Sequence, residues 1–363
     1  MSAFRLITLF SILLCFCVVV FGAYVRLSDA GLGCPDWPGC YGHIGVPDAH
    51  HEVITAEQKF PERPVEAPKA WKEMIHRYLA STLGLLIVVL AVMSVALRKQ
   101  PGMPRRLPWC LVALVIFQGI LGMWTVTWQL KPLVVTGHLL GGMSTLSLLF
   151  WLGLSVYRRP ASVITTTREP RSEREAYAAL AMTGANAPPR AAAPAALRTW
   201  AAVGLIAVVT QIFLGGWTST NYAALACPDF PTCHGQWLPE TDIGEAFTLW
   251  RGLGINYEFG VLDNRARVTI HLFHRIGAIV VSTLLLALGL LLILRGQTPF
   301  WRGFGGLVLG ALAVQIAIGI MTVKLQLPLL LAAAHNAGAA LLLLSLVSLN
   351  FFAWNDVREG RNA

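Results

Sequence analysis

A chain of 363 residues that is 55% hydrophobic and only 13% charged, with a mean hydropathy of +0.61, is too apolar for a water-soluble domain. Its formal charge of +9 sits in Lys and Arg gathered between apolar segments. That distribution reports a membrane topology and excludes a nucleic-acid partner.

Eight apolar segments are expected to cross the membrane, at roughly 4–25, 74–97, 107–128, 133–157, 198–220, 268–294, 302–324 and 328–354, each close to the ~20 residues a helix needs to span the hydrocarbon. The expected fold is an all-α integral membrane protein, with no strand required. Arg5 precedes the first segment and no small-residue cleavage pattern follows it, so it reads as a retained helix. The absence of an Arg- and Ser-rich leader favours a bacterial inner membrane. Arg98, Lys99, Arg105 and Arg106 follow the second segment, and Arg158, Arg159, Arg168, Arg171 and Arg174 follow the fourth. The positive-inside rule then puts both termini in the cytoplasm and the odd-numbered loops outside.

The chain repeats itself. Cys34-Pro35-Asp36-Trp37-Pro38-Gly39-Cys40 returns as Cys227-Pro228-Asp229-Phe230-Pro231-Thr232-Cys233, His76-Arg77 as His274-Arg275, and the pair Gln118 and His138, 20 residues apart, as Gln315 and His335, also 20 apart. The offsets are 193, 198 and 197, so two four-helix units stand in tandem with one loop of unequal length. The units are 1–157 and 198–363, joined by a charged, Ala/Pro-rich cytoplasmic linker over 158–197. Four helices is an even number, so both units enter from the same side and form a parallel repeat.

The histidines His76, His138, His274 and His335 each fall within the first two turns of a helix that starts outside, at a common expected depth. Two imidazoles on facing helices of a bundle can ligate one iron axially. A single histidine in a membrane helix is as readily a hydrogen-bonded packing residue, but type, spacing and depth repeat in both units. No Cys or carboxylate cluster completes a zinc site, and no C-x-x-C-H attaches a haem covalently. Non-covalent haem remains. The units differ at one place: Glu73, three residues before His76, aligns with His271, three before His274. A carboxylate at the edge of an apolar site can exchange protons during chemistry, so one haem site is expected to react and the other to support it; an interfacial ion pair with Lys72 or Arg77 is the plainer role. Arg77 and Arg275 suit haem propionates or lipid headgroups. Gln118, Gln315, Thr136, Asn221 and Asn336 are either supporting hydrogen-bonders or interhelical glue.

Cys15, Cys17 and Cys110 lie inside apolar segments as packing residues. Cys34 with Cys40, and Cys227 with Cys233, can each close a short disulfide loop outside. Such a loop is either a staple over a haem mouth or a redox pair that exchanges with a thiol oxidoreductase.

With these motifs in hand the chain resembles the haem A synthase family. The match rests on Val25-Arg26 through Cys40, Glu73-x-x-His76-Arg77, Thr136-Gly137-His138, His274-Arg275 and His335-Asn336, and it covers all eight helices. The resemblance implies a two-unit membrane enzyme that converts the ring D methyl of haem O to the formyl group of haem A. It implies that His76 and His138 bind substrate haem O, that His274 and His335 hold a haem b cofactor, and that Glu73 is the catalytic carboxylate. It further implies haem O synthase and an electron donor as partners, and haem sites near the periplasmic face. A di-haem b electron-transfer subunit and a haem carrier are the competing classes, and neither needs a titrating group at one site alone.

Overall fold

The computed structural model describes residues 1–158 and 195–360. Eight helices of membrane length run through it: α1 (Ser2–Leu27), α3 (Ala67–Ala96), α4 (Leu107–Thr127), α5 (Pro132–Tyr157), α6 (Ala195–Thr220), α8 (Asn264–Arg295), α9 (Pro299–Lys324) and α10 (Leu329–Gly360). They match the eight expected segments, and among the described residues there is no β-strand, only the isolated bridges Cys40–His43 and Cys233–Gln236. The expected linker lies outside the described residues apart from its ends.

Two short helices were not expected, α2 (His50–Lys59) and α7 (Ile243–Ala246). The sequence of α2 carries no apolar run; a single residue, Ala56, is buried. Two long helices also start earlier than their apolar stretches. Pro68 opens α3 in its first turn, where a missing N–H costs nothing. Asp263 caps α8 by accepting from Ala266 N at 2.8 Å, which satisfies one of the free N–H groups of that helix end. His76 and His274 therefore fall in the third turn of their helices, deeper than the first two turns expected from hydropathy alone.

The turns repeat as the sequence does. α4 and α9 both end in two left-handed residues, Gln129 and Leu130 at φ 49° and 60°, Gln326 and Leu327 at 59° and 61°. In each, the second residue's N–H returns to a threonine carbonyl, Leu130 to Thr125 and Leu327 to Thr322, both at 2.8 Å.

Packing closes two rings of four. α1 touches α3, α3 touches α4, α4 touches α5 and α5 returns to α1; α6, α8, α9 and α10 close in the same order. The rings meet along α1, α5, α6 and α10, with Thr136 and Thr220 hydroxyls 3.3 Å apart at the seam. One apolar core runs through both, including Ile87, Leu90, Leu146 and Leu149 of the first ring and Leu285, Val308, Leu346 and Leu349 of the second. On the outside, Leu6, Phe10, Leu13, Leu85, Ile206 and Leu294 stand exposed. An apolar belt around helices whose backbone bonds are internally satisfied is what a lipid bilayer requires.

Candidate functional site

The four histidines are brought together in pairs. His76 of α3 lies close enough to His138 of α5 for the rings to interact electrostatically, and His274 of α8 stands in the same relation to His335 of α10. All four are part-buried within their rings of helices.

Each imidazole also lies against a glycine of a neighbouring helix. A Cβ added at Gly22 of α1 would meet His76 Cε1 at 2.7 Å, one at Gly122 of α4 would meet His138 Cε1 at 3.4 Å, one at Gly215 of α6 His274 Cε1 at 3.1 Å, and one at Gly319 of α9 His335 Cε1 at 2.8 Å. At Gly22 and Gly319 a side chain would collide with the ring, at Gly215 it would crowd it, and at Gly122 it would touch it at ordinary contact distance. These glycines escaped the sequence reading, although Gly22 and Gly215 share the 193 offset of the cysteines and Gly122 and Gly319 the 197 offset of the second histidines.

The ring nitrogens are underused. Nδ1 of His76, His138 and His335 has no hydrogen-bond partner among the described residues, and an unpaired buried polar atom costs about 1–3 kcal/mol. Gln211 Nε2 lies 3.0 Å from His274 Nδ1 and donates to the His274 carbonyl at 2.9 Å. Gln315 Nε2 lies 3.4 Å from His335 Nε2 and donates to the His335 carbonyl at 3.0 Å. In the first ring Gln118 is buried with Nε2 unpartnered, and Val18 stands where the repeat puts Gln211. The second pair of imidazoles is thus held more fully than the first. Thr136 sits at the seam rather than beside a histidine, Asn221 donates to Trp217 O at 2.9 Å, and Asn336 Oδ1 is unpartnered.

A disulfide loop covers each ring. Cys34 and Cys40 are joined, as are Cys227 and Cys233. In the first loop Asp36 accepts from Tyr41 N and Gly42 N, both at 2.7 Å; in the second Asp229 accepts from His234 N at 2.6 Å and Gly235 N at 2.9 Å. The tyrosine and the histidine, each followed by glycine, turn the chain at positive φ. Burial pushes the Tyr41 hydroxyl up to about 12. The Thr232 hydroxyl, with the Gly235 and His234 N–H groups, holds Asp229 well below the usual carboxylate range.

The loops are fastened to α3 and α8 by the two motifs of special interest. Glu73 is 5% exposed; its Oε2 accepts from Cys34 N at 2.9 Å and its Oε1 from Arg77 Nη2 at 2.5 Å. His271, 3% exposed, accepts at Nδ1 from Cys227 N at 3.4 Å. The position that distinguishes the two rings therefore makes the same structural contact in both. Arg77 Nη1 donates to the carbonyls of Asp36, Pro38 and Gly39, while Arg275 donates to Thr232, Cys227 and Asp229 carbonyls at 2.7–2.8 Å. Both guanidiniums, expected at propionates or headgroups, donate to loop carbonyls in this structure.

Among the described residues no three His, Cys, Asp or Glu side chains converge as a metal cluster. A metal held by one imidazole pair must take its other ligands from outside the protein. A porphyrin supplies them, so the part-exposed rings, their glycine notches and their unpartnered nitrogens fit haem iron.

Two rings of four helices, each carrying an imidazole pair and a disulfide-bonded loop, make this a multi-pass membrane protein. Residues 5–347 match the COX15-CtaA family, described as cytochrome oxidase assembly protein, and the chain belongs to that family. It is 46% identical to a "Heme A synthase" of Shewanella oneidensis, over 93% of this chain and 93% of that protein. It is 27% identical to proteins of the same name from Caulobacter vibrioides, over 93% of this chain and 92% of the relative, and Paracoccus denitrificans, over 90% and 81%.

Proposed function

We propose that the chain is a haem A synthase, an oxidoreductase that takes the ring D (C8) methyl of haem O to a formyl group by successive hydroxylations, the hydrated aldehyde losing water. His76 and His138 would hold substrate haem O, and His274 and His335 the cofactor haem b. Bound there, haem b supplies an electron relay. Glu73 moves a proton at Oε1, the oxygen it otherwise gives to Arg77, while Oε2 keeps Cys34 N–H and so keeps the loop seated. The protein sits in the bacterial inner membrane with its loops on the periplasmic side, where an oxidising compartment suits both disulfides. It receives haem O from a haem O synthase, and each hydroxylation consumes an external oxidant of the dioxygen class, one oxygen atom entering the C–H bond and the other leaving as water with two protons and two electrons from a membrane donor. The disulfides act as staples, and a thiol oxidoreductase is their maker.

The observation that carries this reading is the four imidazoles: two facing pairs, every ring against a glycine, with a carboxylate one turn from one pair only. The test is to express the full chain with a haem O source, extract the non-covalent haems and identify them by mass. Wild type should yield haem A or its hydroxylated precursor. Glu73→Gln, which still offers an acceptor to Cys34 N–H, should retain haem O while conversion falls at least ~10²-fold, the lower end of what a positioned proton-transfer group contributes. A wild-type proportion of haem A in that variant removes Glu73 from the mechanism. A wild type that carries only haem b and forms no product from haem O is an electron-transfer subunit.

A further inference from the structure

The charges on two helices mark where the bilayer stops. From Arg77 of α3 to Arg98 just past its end, and from Arg275 to Arg295 along α8, no Asp, Glu, Lys or Arg intervenes. The separations are 21 and 20 residues. At a helical rise of 1.5 Å each covers about 30 Å, the thickness of the hydrocarbon layer. The layer therefore ends at Arg77 and Arg275 on the side that carries the disulfide loops, and these two side chains donate to the loop carbonyls. A long helical side chain leans toward the amino end of its helix, so both loops sit at that boundary, level with the headgroups.

What the loops present there is apolar, and it repeats. Trp37 and Ile44 of the first loop are exposed, and at the 193 offset of the cysteines stand Phe230 and Trp237, exposed as well. Ile44 is 87% open, Trp237 72%, and Leu238 beside it 84%. Tyr78, the first residue on the lipid side of Arg77, is itself exposed and donates its hydroxyl to the Ile44 carbonyl at 2.6 Å, which ties that tip to the boundary directly. In the second loop the Arg275 guanidinium lies 5.7 Å from the centre of the Phe230 ring. The paired backbone bonds between Cys233 and Gln236, at 2.9 and 3.1 Å, then return the chain so that Trp237 comes back toward Thr232, whose carbonyl Arg275 holds. Large apolar side chains left open together mark an interaction surface, and tryptophan is favoured at the level of the headgroups. Exposed Ile276 and Ile279 on α8 continue the surface into the lipid belt.

We propose that the two disulfide loops are seated in the bilayer as well as on the helices, with Ile44 of the first and Trp237 with Leu238 of the second dipping into the headgroup and upper acyl region of the leaflet on their side. The occupant of this surface is lipid rather than a protein partner, because the surface is continuous with the belt of α3 and α8 and lies at the depth their charges set. The contact holds each loop level with His76 and His274, which directly precede the two arginines, and it stands whether or not those histidines carry haem.

The test reconstitutes the full chain into phosphatidylcholine vesicles made with or without bromine on the acyl carbons nearest the headgroup, and follows tryptophan emission. Subtracting the emission of Trp237→Phe from that of wild type isolates Trp237. Subtracting wild type from Ile44→Trp, which copies the second loop's residue at the equivalent place, isolates the first tip. Both substitutions change side chains that stand open, so neither disturbs the packed core. Bromine quenches on contact, and each isolated emission should fall at least about threefold in the brominated vesicles, as befits a side chain at the headgroup and acyl boundary. Iodide, present on both faces, reads whether water reaches the tip. Emission that survives bromine at either tip overturns the proposal: if iodide quenches it, that loop stands in water, and if neither does, protein covers it.

Discussion

The two disulfide loops are one design anchored in two ways. Each uses an aspartate to hold two successive N–H groups of a left-handed turn, and each is gripped by the arginine that follows the first histidine. The first cysteine of each loop needs an acceptor for its N–H. α3 provides a carboxylate, Glu73, and α8 an imidazole, His271. Either would seat a loop, so the seating alone does not explain why one unit holds a buried carboxylate, which costs more to bury than a neutral imidazole. The carboxylate also pairs with Arg77, and the proton-transfer role proposed for it above would use the chemistry that an imidazole at this position lacks. The loops also differ in reach. The second grips the other unit, with Arg63 paired to Glu258 at 2.7 Å, Tyr257 N donating to Gln129 O at 3.0 Å, and Lys131 reaching Gly252, so it closes the seam as well as its own ring.

The largest effect that bears on this contrast is loss of the metal itself. His274→Ala or His335→Ala should strip low-spin haem b from the purified protein, because one imidazole cannot maintain the bis-histidine state. His76→Ala or His138→Ala should leave that spectrum in place and lose bound haem O instead. A haem b signal unchanged in both second-unit variants refutes the division of labour.

Exchanging the two anchors sharpens it. Glu73→His copies the second unit's solution, so Cys34 N–H keeps an acceptor and the loop should stay seated, with Cys34 and Cys40 still protected from thiol labelling. Conversion of haem O should nevertheless fall by ~10²-fold or more. The reverse exchange, His271→Glu, should leave conversion within a few-fold of wild type. A Glu73→His protein that both keeps its loop and makes haem A would reduce Glu73 to an anchor.

The glycine notches predict a smaller, graded effect. Gly22→Ala puts a methyl carbon 2.7 Å from the His76 ring and should cost about 1–3 kcal/mol of overpacking, read as lowered Tm and weakened haem O binding. Gly119→Ala on α4 meets nothing within 4 Å and should be neutral or gain up to about 1 kcal/mol from helix propensity. Equal effects from the two would show that the notch does not position the ring.

Much of this was legible in the chain. The eight spans and the two disulfide pairs announce themselves, because membrane length and cysteine spacing are one-dimensional signals. The start of α3 did not, since Ala67 to Lys72 is too polar for a hydropathy count and only the proline of its first turn marks it. The loop contacts of Arg77 and Arg275 were not legible either: an arginine at a membrane surface suits propionates, headgroups and loop carbonyls alike, and the bonds to the loop carbonyls appear only once the loop is folded. Arg63 and Glu258 lie 195 residues apart and pair across the seam, so no local pattern could reveal them.

The last and smallest difference lies inside the loops, at Thr232, where the first loop has Gly39. The Thr232 hydroxyl donates to Asp229 at 2.6 Å and is the leading cause of that carboxylate's depressed pKa. A carboxylate held low in the folded state lends stability that is present above its ordinary pKa and is lost as the pH falls through the native one. Thr232→Gly should bring the native value back toward the ordinary one, so the variant is less stable than wild type at neutral pH, and the gap between them closes as the pH falls through the wild-type native value. The first loop cannot be converted the other way, because a Cβ at Gly39 would run into the His43 carbonyl. Thermal unfolding followed from neutral to strongly acidic pH decides this: a gap between wild type and Thr232→Gly that stays constant with pH would mean that the hydroxyl orders the turn without supporting the charge.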